Sequence, residues 1–389
     1  MNPKIILAFS GGLDTSFCVA HLKEQGYEVI TVTVNTGGFG SETLEALEKK
    51  ALSLGSSKHY SIDAEEKIYS QIISHLIRLD GLYEGEYPLM CADRYIIAEE
   101  VLAIAKKENA SFVSHGSTSV GNDQVRFDSA LLTLNPSIQI LCPIKELAIT
   151  RAQEITYLES KGFAVSKGNK QYSINQNVFG VTLSGSEIDA YKEPSSDAYQ
   201  LTQLTQKNPA YVTLEFEQGL PITLNGIKKN GLAILKEINT LVGAFGIGRG
   251  SYTGDCIIGI KGHIVFEAPG LFALLEAHKK LQQVTLTKKQ LQFHALASAQ
   301  WADVVYSGLY YEPLARSLEA YAAAEQAKVT GTVKLKLAPL CLSIVEVESP
   351  YSLMKNEIAT YAQKGSWSAQ EANGFIKLYT LQQKIAWSK

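Results

Sequence analysis

The sequence has none of the features that would direct it to a membrane, a secretory route or nucleic acid. It contains no run of about 18 apolar residues, so we expect no membrane-spanning helix. From Met1 to Lys4 it passes directly into the short apolar stretch Ile5–Ala8, and a signal peptide would need a longer apolar region. A net charge of −3 provides no basic face for a phosphate backbone, so we expect no nucleic-acid partner.

The sequence is also poor in cysteine. It has no C-x-x-C pair and no histidine–cysteine cluster at zinc spacing, so we expect no protein-bound metal and no tightly bound cofactor. Scattered thiols are typical of reducing compartments, so we expect a cytoplasmic protein. The five cysteines are Cys18, Cys91, Cys142, Cys256 and Cys341.

Strand and helix patterns alternate through the first 165 residues. This alternation of strands and helices predicts an α/β fold with a parallel sheet covered by helices on both faces. Ligands of such sheets bind at the carboxyl ends of the strands, where Ser10–Ser16, Asn35–Gly40 and His115–Arg126 fall. The predicted strands are Lys4–Ala8, Val29–Val34, His59–Ile62, Ser111–Ser114 and Ile138–Cys142, and the predicted helices are Thr15–Gln25, Ser41–Leu54, Leu89–Asn109 and Arg151–Lys161.

After about residue 168 the pattern becomes that of an α+β domain. Polar and apolar residues alternate over Tyr211–Glu217, a turn is predicted at Gln218-Gly219, and the strand pattern resumes up to Leu224. Asn225-Gly226 follows directly, and this arrangement is typical of a hairpin. Further strands are predicted near Ile257–Ile260 and Val329–Leu337, and helices at Gly231–Val242, Leu271–Leu281 and Glu312–Lys328.

The C-terminal segment Ser368–Ser388 has the pattern of an amphipathic helix. Such a helix packs on its own domain or serves as an arm between subunits, and the sequence leaves both open. We therefore expect three parts, which cover residues 1–167, 168–365 and 366–389. The apolar residues of the predicted helix are Phe375, Ile376, Leu378, Leu381 and Ile385.

The loop Ser10-Gly-Gly-Leu-Asp-Thr-Ser16 is the strongest chemical signal in the sequence. A glycine pair between a strand and a helix lets the backbone approach a ligand, and the helix directs free N–H groups and its positive dipole end at an anion. The loop lacks the lysine of a G-x-x-x-x-G-K-[ST] loop and the third glycine of a dinucleotide fingerprint. For a bare Gly-Gly pair, a tight turn without a ligand would be the preferred interpretation.

Asp14 is the one acid of this loop. A carboxylate that faces a triphosphate makes sense if Mg²⁺ lies between them, so we predict a catalytic role for Asp14 with MgATP as the substrate complex. The alternative is an acid that merely stabilises the N-terminus of a helix through its dipole, and the residues alone leave that open.

A second polar segment runs from His115 to Phe127 and has the sequence His-Gly-Ser-Thr-Ser-Val-Gly-Asn-Asp-Gln-Val-Arg-Phe. A strand end that opens into small residues and then Asn122-Asp123 at a helix start offers a polar cradle for a ligand. The plain structural interpretation is a loop with a helix cap, since Asn and Asp both cap helices.

These two segments carry a resemblance to a known family. The pattern S-G-G-x-D-[ST]-S is characteristic of the PP-loop ATP pyrophosphatases, and H-G-x-T-x-x-G-N-D-Q-V-R-F resembles the signature of the argininosuccinate synthases. The resemblance extends along nearly the full chain. Its matching stretches are Ala8–Ser16, Tyr87–Leu89, Tyr172–Asn175, Tyr211–Gly226, Gly246–Arg249, Glu267–Gly270, Val329–Lys336, Ser349–Leu353 and Gly374–Leu378.

The resemblance implies an adenine nucleotide α-hydrolase-like PP-loop domain, a synthetase domain and a C-terminal oligomerisation helix in a homotetramer. It also implies an ATP-dependent ligase of arginine biosynthesis that condenses L-citrulline with L-aspartate. The citrulline ureido oxygen would attack the α-phosphorus of ATP and release pyrophosphate. The aspartate amine would then displace AMP from citrullyl-AMP to give argininosuccinate.

By the same resemblance, three groups of residues would bind the substrates. Arg94, a cation on a helix, is about equally well explained as one half of a surface ion pair. The residues implied for ATP are Ala8, Phe9, Ser10, Gly11, Gly12, Leu13, Asp14, Thr15, Ser16, Val34 and Gly116. Those for citrulline are Tyr87, Asn122, Arg126, Ser173 and Thr182, and those for aspartate are Thr118, Asn122, Asp123 and Arg94.

The sequence departs from the family pattern mainly where citrulline would bind. The usual Glu and Tyr of that pocket are Gly254 and Phe266, and Tyr252 or Asp255 is a candidate replacement. Losing one charge-assisted contact costs about 1.5–3 kcal/mol, which weakens binding without abolishing it. Three smaller departures are Met90–Asp93 without the usual serine, Val120 in place of a lysine, and Thr182 in place of a serine.

Two other functions remain open from the residues. One is a different PP-loop adenylating ligase with a citrulline-like acceptor or an RNA substrate, although the RNA enzymes need a basic surface. The other is a catalytically silent nucleotide-binding regulator, but the Ser10–Ser16 loop is complete.

Overall fold

The computed structural model describes residues 2–165, 171–255 and 257–388. The predicted boundary between 167 and 168 lies outside the described residues, and so does Cys256. The described N-terminal part contains strands β1 (Lys4–Ala8), β2 (Glu28–Asn35), β3 (Lys58–Asp63), β4 (Phe112–Ser114) and β5 (Gln139–Leu141). Its helices are α1 (Leu13–Glu24), α2 (Ser41–Leu54), α3 (Glu65–Ile68), α4 (Ser74–Leu79), α5 (Asp93–Glu108), α6 (Asp123–Leu134), α7 (Pro143–Leu147) and α8 (Arg151–Ser160), with a π-helical stretch at Tyr69–Ile73 and a 3₁₀ turn at Met90–Ala92.

The five strands form one parallel sheet in the order β3-β2-β1-β4-β5, which confirms the predicted α/β fold. Nearly every residue of β2 is buried, as expected of a strand covered by helices on both faces. Alternate side chains of β1 enter two cores: Ile5 and Leu7 pack with α1, α2 and α8, while Ile6 packs with α5 and α6. The strand order reverses between β1 and β4, and that is the point where such sheets bind ligands.

Local signals set most of the N-terminal bounds. Helix α2 ends at Leu54 because Gly55 follows in the left-handed region with φ 108°. The helix predicted over Leu89–Asn109 begins later, at Asp93, because Leu89 is left-handed (φ 53°) and the next three residues form a 3₁₀ turn.

The C-terminal part is α+β, as predicted, and contains two antiparallel sheets in the orders β10-β9-β8-β13-β14 and β11-β12-β7-β6. The strands are β6 (Ser173–Asn177), β7 (Gly180–Ser184), β8 (Ala210–Glu217), β9 (Leu220–Leu224), β10 (Ile227–Lys228), β11 (Arg249–Asp255), β12 (Lys261–Glu267), β13 (Gly331–Ala338) and β14 (Cys341–Glu348). The helices are α9 (Gly231–Gly243), α10 (Pro269–Thr285), α11 (Lys288–Tyr306), α12 (Pro313–Glu325), α13 (Ala369–Tyr379) and α14 (Leu381–Trp387), with 3₁₀ turns at Ser186–Ala190, Ser196–Ala198 and Gln326–Lys328.

Two predictions in this part have opposite outcomes. The hairpin signal at Asn225-Gly226 is confirmed: both residues have positive φ, and β10 pairs antiparallel with β9. The strand predicted near Ile257–Ile260 is wrong, because its described residues belong to the turn that connects β11 to β12, where Gly259 has φ 86°. The run Ile257–Ile260 is apolar enough to resemble a strand, whereas the strands on either side of it, β11 and β12, contain many polar residues.

The C-terminal segment forms two short helices, α13 and α14, instead of the single predicted helix. None of the described residues of these helices is buried, and Phe375, Leu378 and Trp387 are largely exposed. Packing on its own domain, one of the two open interpretations, therefore does not occur. Among the described residues, no helix is long and apolar enough to cross a membrane.

Candidate functional site

The loops after the adjacent strands β1 and β4 open into one cleft of about 620 Å³. Leu7 of β1 pairs with Ser114 of β4, so Ser10–Ser16 and His115–Asn122 leave the same edge of the sheet side by side. Strands β6 and β7 and the end of α11 supply the opposite wall. The cleft therefore lies between the parallel sheet and the C-terminal part of the chain.

The loop Ser10–Ser16 forms the tight turn that its glycines predict. Gly11 has φ 72°, and the side chain of Leu47 occupies the place where a Cβ at this position would lie. Gly12 is the N-cap of α1, and its carbonyl accepts a hydrogen bond from the Ser16 hydroxyl at 2.6 Å. The first N–H groups of a helix lack partners within the helix, so the start of α1 offers donors to an anion.

The second loop packs directly onto the first at Gly116. A Cβ at this glycine would lie 3.0 Å from Thr15 Cγ2 and 3.3 Å from Asp14 Cβ. A larger residue would push the two loops apart, so glycine keeps the floor of the cleft closed here.

Asp14 lines the cleft as the second residue of α1, with 35% of its side chain exposed. Both sequence interpretations of this residue fit that position. Glu154 of α8 lies beneath it and is 2% exposed; burial and the Asp14 carboxylate raise the pKa of Glu154 to about 8. Glu154 Oε2 is buried without a hydrogen-bond partner among the described residues.

Asn122 stands at the N-cap position of α6, but its side chain does not cap the helix. Its Nδ2 donates to the Tyr306 hydroxyl at 3.2 Å, and its Oδ1 accepts from the Ile257 backbone N–H at 3.0 Å. The plain interpretation of this segment as a capped loop is therefore wrong for Asn122. The amide instead joins the second loop to α11 and to the β11–β12 turn.

Asp123 joins the two arginines of the site. Its Oδ2 accepts from Arg94 Nε at 3.0 Å, and its Oδ1 accepts from Arg126 Nη1, also at 3.0 Å. Burial favours the protonated form of Asp123, but the two guanidinium groups outweigh it and hold its pKa below the ordinary value. Arg94, which is only 17% exposed, belongs to this internal network and not to a surface ion pair.

Asp93 is a residue of the cleft that the sequence did not reveal. It is 2% exposed, bonds to Arg94 at 2.5 Å and accepts from Asn177 Nδ2 at 3.0 Å and from the Thr36 hydroxyl at 3.3 Å. These partners come from α5, β6 and the end of β2, so Asp93 joins both halves of the cleft. Its position directly before Arg94 is the one local signal that would have suggested it.

Tyr306, at the end of α11, was also missed. Its carbonyl accepts from Arg126 Nε at 3.0 Å, and the Arg126 guanidinium lies 4.8 Å from the centre of its ring. Its ring stacks on Tyr83 with centres 3.7 Å apart. Tyr306 could not be identified from the sequence, because helix α11, which it ends, was not predicted.

Strands β6 and β7 place the remaining citrulline candidates. Asn175 pairs with Thr182 and Ser173 with Ser184, so Ser173 and Thr182 lie on neighbouring strands that face the cleft. Tyr87 is 3% exposed and lies beside Phe266, with ring centres 5.8 Å apart.

The structure brings most predicted site residues into this one cleft. Gly11, Gly12, Leu13 and Ser16 shape the loop behind its lining surface. The predicted residues that line the cleft are Ala8, Phe9, Ser10, Asp14, Thr15, Val34, Tyr87, Arg94, Gly116, Thr118, Asn122, Asp123, Arg126, Ser173 and Thr182.

The departure at Gly254 has a physical explanation in the structure. The phenol of Tyr252 lies where a Cβ of residue 254 would stand, so a larger residue requires Tyr252 to move. Tyr252 is 2% exposed and stacks with Tyr87 at 5.4 Å between ring centres. Of the two candidate replacements, Tyr252 therefore fills the space beside Gly254, and the side chain of Asp255 lies outside what the structure describes.

One cluster of metal-ligand type was not predicted. His115 Nε2 lies 2.9 Å from Asp128 Oδ1 and 3.2 Å from Cys142 Sγ. These residues are distant in sequence, so no spacing rule would have found them. Lys145 bonds the other oxygen of Asp128 at 2.9 Å, so this carboxylate already has a cationic partner.

Comparison with known proteins decides the family. Residues 4–164 match the model of the arginosuccinate synthase N-terminal HUP domain, and residues 172–386 match that of the arginosuccinate synthase C-terminal domain. This chain belongs to the argininosuccinate synthase family. The resemblance inferred from Ser10–Ser16 and His115–Phe127 is thus confirmed, together with the PP-loop type of the N-terminal domain.

Relatives named argininosuccinate synthase align along nearly the whole chain. The protein of Xanthomonas axonopodis pv. citri is 43% identical over 96% of this chain and 92% of its own length. That of Hyperthermus butylicus is 41% identical, over 97% and 96% respectively, and that of Methanocaldococcus jannaschii is 37% identical over the same shares. A predicted tRNA methyltransferase subunit of known structure from the last organism aligns with 43% of this chain and 94% of its own, at 20% identity and a TM-score of 0.26, which is too slight to bear on the fold.

As a member of this family, the chain is an ATP-dependent carbon–nitrogen ligase of arginine biosynthesis. It condenses citrulline with aspartate through an adenylated intermediate. The two other functions considered from the sequence, a different PP-loop ligase and a silent regulator, are not favoured by full-length matches of this kind.

Proposed function

We propose that the chain carries out this condensation in the cleft between the sheet and β6–β7, with ATP on the Ser10–Ser16 loop and both amino acids on Thr118–Arg126. The observation that supports this most is the meeting of the two loops at the reversal of strand order. A ureido carbon is a weak electrophile, because its nitrogen lone pairs donate to it. Adenylation turns its oxygen into a leaving group, and the work of the enzyme is mainly positioning and charge neutralisation.

The ATP site consists of the loop and the surfaces beside it. Ser10 and Thr15 line the cleft next to the N-terminus of α1, where hydroxyl and backbone donors meet phosphate oxygens. Gly116 and Val34 form the neighbouring apolar surface for the nucleoside. Asp14 faces the phosphates, where a carboxylate suits the Mg²⁺ that accompanies ATP as a substrate.

The amino-acid site is built on the Asp123 network. Arg126 and Arg94 each have guanidinium donors left after pairing with Asp123, so Arg126 is suited to the citrulline carboxylate and Arg94 to an aspartate carboxylate. Thr118 and Asn122 add neutral donors, and Asp123 suits the aspartate ammonium. Tyr87, Ser173 and Thr182 complete the citrulline side of the cleft.

The C-terminal helices support a homotetramer. Helices α13 and α14 expose Phe375, Leu378, Leu381 and Trp387 without burying them in their own protomer. Apolar surface of this kind is stabilised when a second subunit covers it. The free thiols of Cys18, Cys91, Cys142 and Cys341 support a cytoplasmic location.

An isotope experiment tests the proposed reaction. Citrulline labelled with oxygen-18 at its ureido oxygen is incubated with ATP, Mg²⁺ and aspartate, and AMP is analysed by mass spectrometry. The label is expected in AMP, because the ureido oxygen attacks the α-phosphorus and leaves with AMP. Unlabelled AMP, formation of ADP, or AMP made at the same rate without citrulline would each contradict the mechanism.

Two variants test the assignment of the ATP site. Asp14→Ala is expected to lower turnover strongly while leaving the free energy of unfolding nearly unchanged, since Asp14 is partly exposed. Asp63→Ala is the matched control, because Asp63 is an exposed acid at the end of β3, an edge strand of the same sheet that is separated from β1 by β2. Equal activity losses in the two variants would show that Asp14 has no special role.

A further inference from the structure

A chain of hydrogen bonds from outside the cleft ends on the second loop, His115–Asn122. His115 is the first residue after β4, is 2% exposed and lines the cleft. It contacts Asp128 of α6 and Cys142, which follows β5, and Asp128 in turn contacts Lys145 of α7. These three partners are not among the described residues that line the cleft, so their effect on a ligand passes through His115.

The partners of the His115 ring determine which nitrogen carries its proton. The backbone N–H of Ser117 donates to Nδ1 at 3.2 Å, so this nitrogen is an acceptor. Nε2 therefore carries the proton and donates to Asp128 Oδ1 at 2.9 Å. Cys142 Sγ lies 3.2 Å from Nε2, and burial raises the pKa of this thiol to about 12, so it stays uncharged. The ring is thus held between the backbone of the loop and one carboxylate.

Lys145 holds the other oxygen of that carboxylate. Its Nζ donates to Asp128 Oδ2 at 2.9 Å, while Oδ1 accepts from His115. Burial opposes ionisation of Asp128, but the hydrogen bonds from His115 and Lys145 outweigh it and hold the pKa of Asp128 below its ordinary value. Asp128 is therefore an acceptor on both oxygens, and both are engaged.

The other end of the chain sets the path of the second loop. The bond between Ser117 and His115 closes a tight turn around Gly116, and Gly116 packs closely onto the first loop. Thr118 follows directly and lines the cleft. A shift of the His115 ring would therefore move Gly116 relative to Ser10–Ser16 and would also move Thr118 in the cleft.

We propose that Asp128 is a positioning residue of the ligase. Together with Lys145 it holds His115 with its proton on Nε2, and His115 in turn holds the second loop where ATP and aspartate need it. The inference rests on the proposed assignment of Gly116 to ATP and of Thr118 to aspartate. Asp128 and Lys145 themselves touch no substrate in this role.

Steady-state kinetics and hydrogen exchange test the two halves of this inference separately. In Asp128→Ala, KM for ATP and for aspartate is expected to rise about five- to tenfold, the scale of one lost hydrogen bond, and KM for citrulline less than about twofold. Deuterium exchange of a peptide that covers residues 115–122 is expected to become about fivefold faster, because the Ser117 N–H loses its fixed acceptor. Asp128→Asn keeps an acceptor for Nε2–H and is expected to restore most of both losses.

Glu108→Ala is the matched control. Glu108 is also a carboxylate bonded by lysines, Lys4 at 3.1 Å and Lys58 at 2.7 Å, but these lysines begin β1 and β3, at the edge of the sheet opposite to the cleft. The control variant is expected to lower the free energy of unfolding while leaving the three KM values and the exchange of residues 115–122 unchanged.

A double variant tests whether Asp128 acts through His115. His115→Ala combined with Asp128→Ala is expected to have the KM values of His115→Ala alone, because the partner of Asp128 is then already absent. Additive effects, or an equal rise of KM in Glu108→Ala, would overturn the inference. Unchanged KM for ATP and aspartate in Asp128→Ala would also overturn it. Faster exchange in that variant would then trace the failure to the proposed assignment of the loop, whereas unchanged exchange would refute the hydrogen-bond chain itself.

Discussion

Replacing Asp123 with Asn tests the charged network at the centre of the cleft. The side chain keeps its shape, but it loses the charge that pairs with Arg94 and Arg126, each at 3.0 Å. The Asn amide offers one acceptor oxygen and one NH₂ group, so one guanidinium group faces a donor instead of an acceptor. Arg126 is 3% exposed, so water cannot fully replace the lost partner.

The size of the effect follows from burial. Breaking a fully buried ion pair by removing one partner costs about 3–5 kcal/mol. Because 39% of the Asp123 side chain is exposed, the cost is discounted to about 2–3 kcal/mol of unfolding free energy. The free arginines also shift, so kcat/KM for aspartate and citrulline is expected to fall at least tenfold.

Urea denaturation and steady-state kinetics measure the two effects, with Asp303→Asn as the control. Asp303 is an exposed acid of α11 that accepts a long hydrogen bond of 3.5 Å from Ser307. The pKa of Asp123 is lowered, so its stabilising effect is present above an ordinary aspartate pKa of about 3.9 and is lost as the pH falls below that. The wild type should therefore exceed D123N in stability from pH 8 to 5, and the gap should narrow as the pH falls below about 3.9. Equal stability and equal kcat/KM at pH 7 would refute this account of the network.

Three further predictions follow from other parts of the chain. Burial opposes protonation of His294, but Asp80 and Glu325 outweigh it and raise its pKa to about 9, so this protonation stabilises the fold below about pH 6.5 and is lost as the pH rises through 9. The wild type should lose about 3 kcal/mol of unfolding free energy relative to His294→Gln between pH 6.5 and 10, and parallel pH profiles would contradict this. Removal of residues 366–389 should reduce the number of subunits per particle measured by light scattering. It should barely change the stability of the protomer, because α13 and α14 bury no residue in it. An unchanged number of subunits would show that these helices are not an oligomer arm. Gly254→Glu should cost about 1–3 kcal/mol because Tyr252 fills that space, and adding Tyr252→Ala should give a double variant more stable than the sum of the single losses, whereas additive losses would show that the two residues do not interact.

The sequence predicts the nucleotide half well because its signals are local. A buried strand, a glycine turn and a helix follow one another within Lys4–Glu24, and each has its own residue pattern. The same holds for the hairpin at Asn225-Gly226, where two adjacent residues with positive φ determine the turn. Position after a strand is then enough to place Ser10–Ser16 and His115–Asn122 at one edge of the sheet.

The opposite wall of the cleft escapes sequence patterns for a physical reason. Strand β6 reads Ser-Ile-Asn-Gln-Asn, and it lines a polar cleft, so the alternation of apolar residues that identifies a strand is absent. Helix α11 buries His294, Ala297 and Trp301 along one face, and this mixture of a polar, a small and a large aromatic residue hides its period. The strands and helices that line a polar site carry polar residues for binding, and these residues weaken the apolar pattern from which the strand or helix would be predicted.

The network of Asp93, Arg94 and Asp123 could not be assembled from the sequence either. Its partners come from α5, α6 and β6, and a pairing of this kind depends on how the chain folds over long distances. The resemblance supplied Arg94 and Asp123 as separate ligand contacts, whereas the structure shows that they contact each other. A family pattern therefore indicates which ligand a residue contacts, but it does not indicate which neighbouring residues hold that side chain in place.

Glu267 lies in one of the stretches that match the family, and its contacts show that it stabilises the fold and does not line the cleft. Glu267 is fully buried, and its carboxylate accepts backbone N–H bonds from Gln200, Leu201 and Thr202 at 2.7–2.9 Å. Arg249, from another matching stretch, donates to the Thr202 carbonyl at 2.7 Å. Both residues hold the 200–202 segment against β11 and β12 at some distance from the cleft lining, and each unmade bond there would cost about 1–3 kcal/mol. Because Glu267 and Arg249 lie outside the cleft lining, the identity of the acceptor rests on the side chains that line it, Asn122, Arg126 and Ser173 above all.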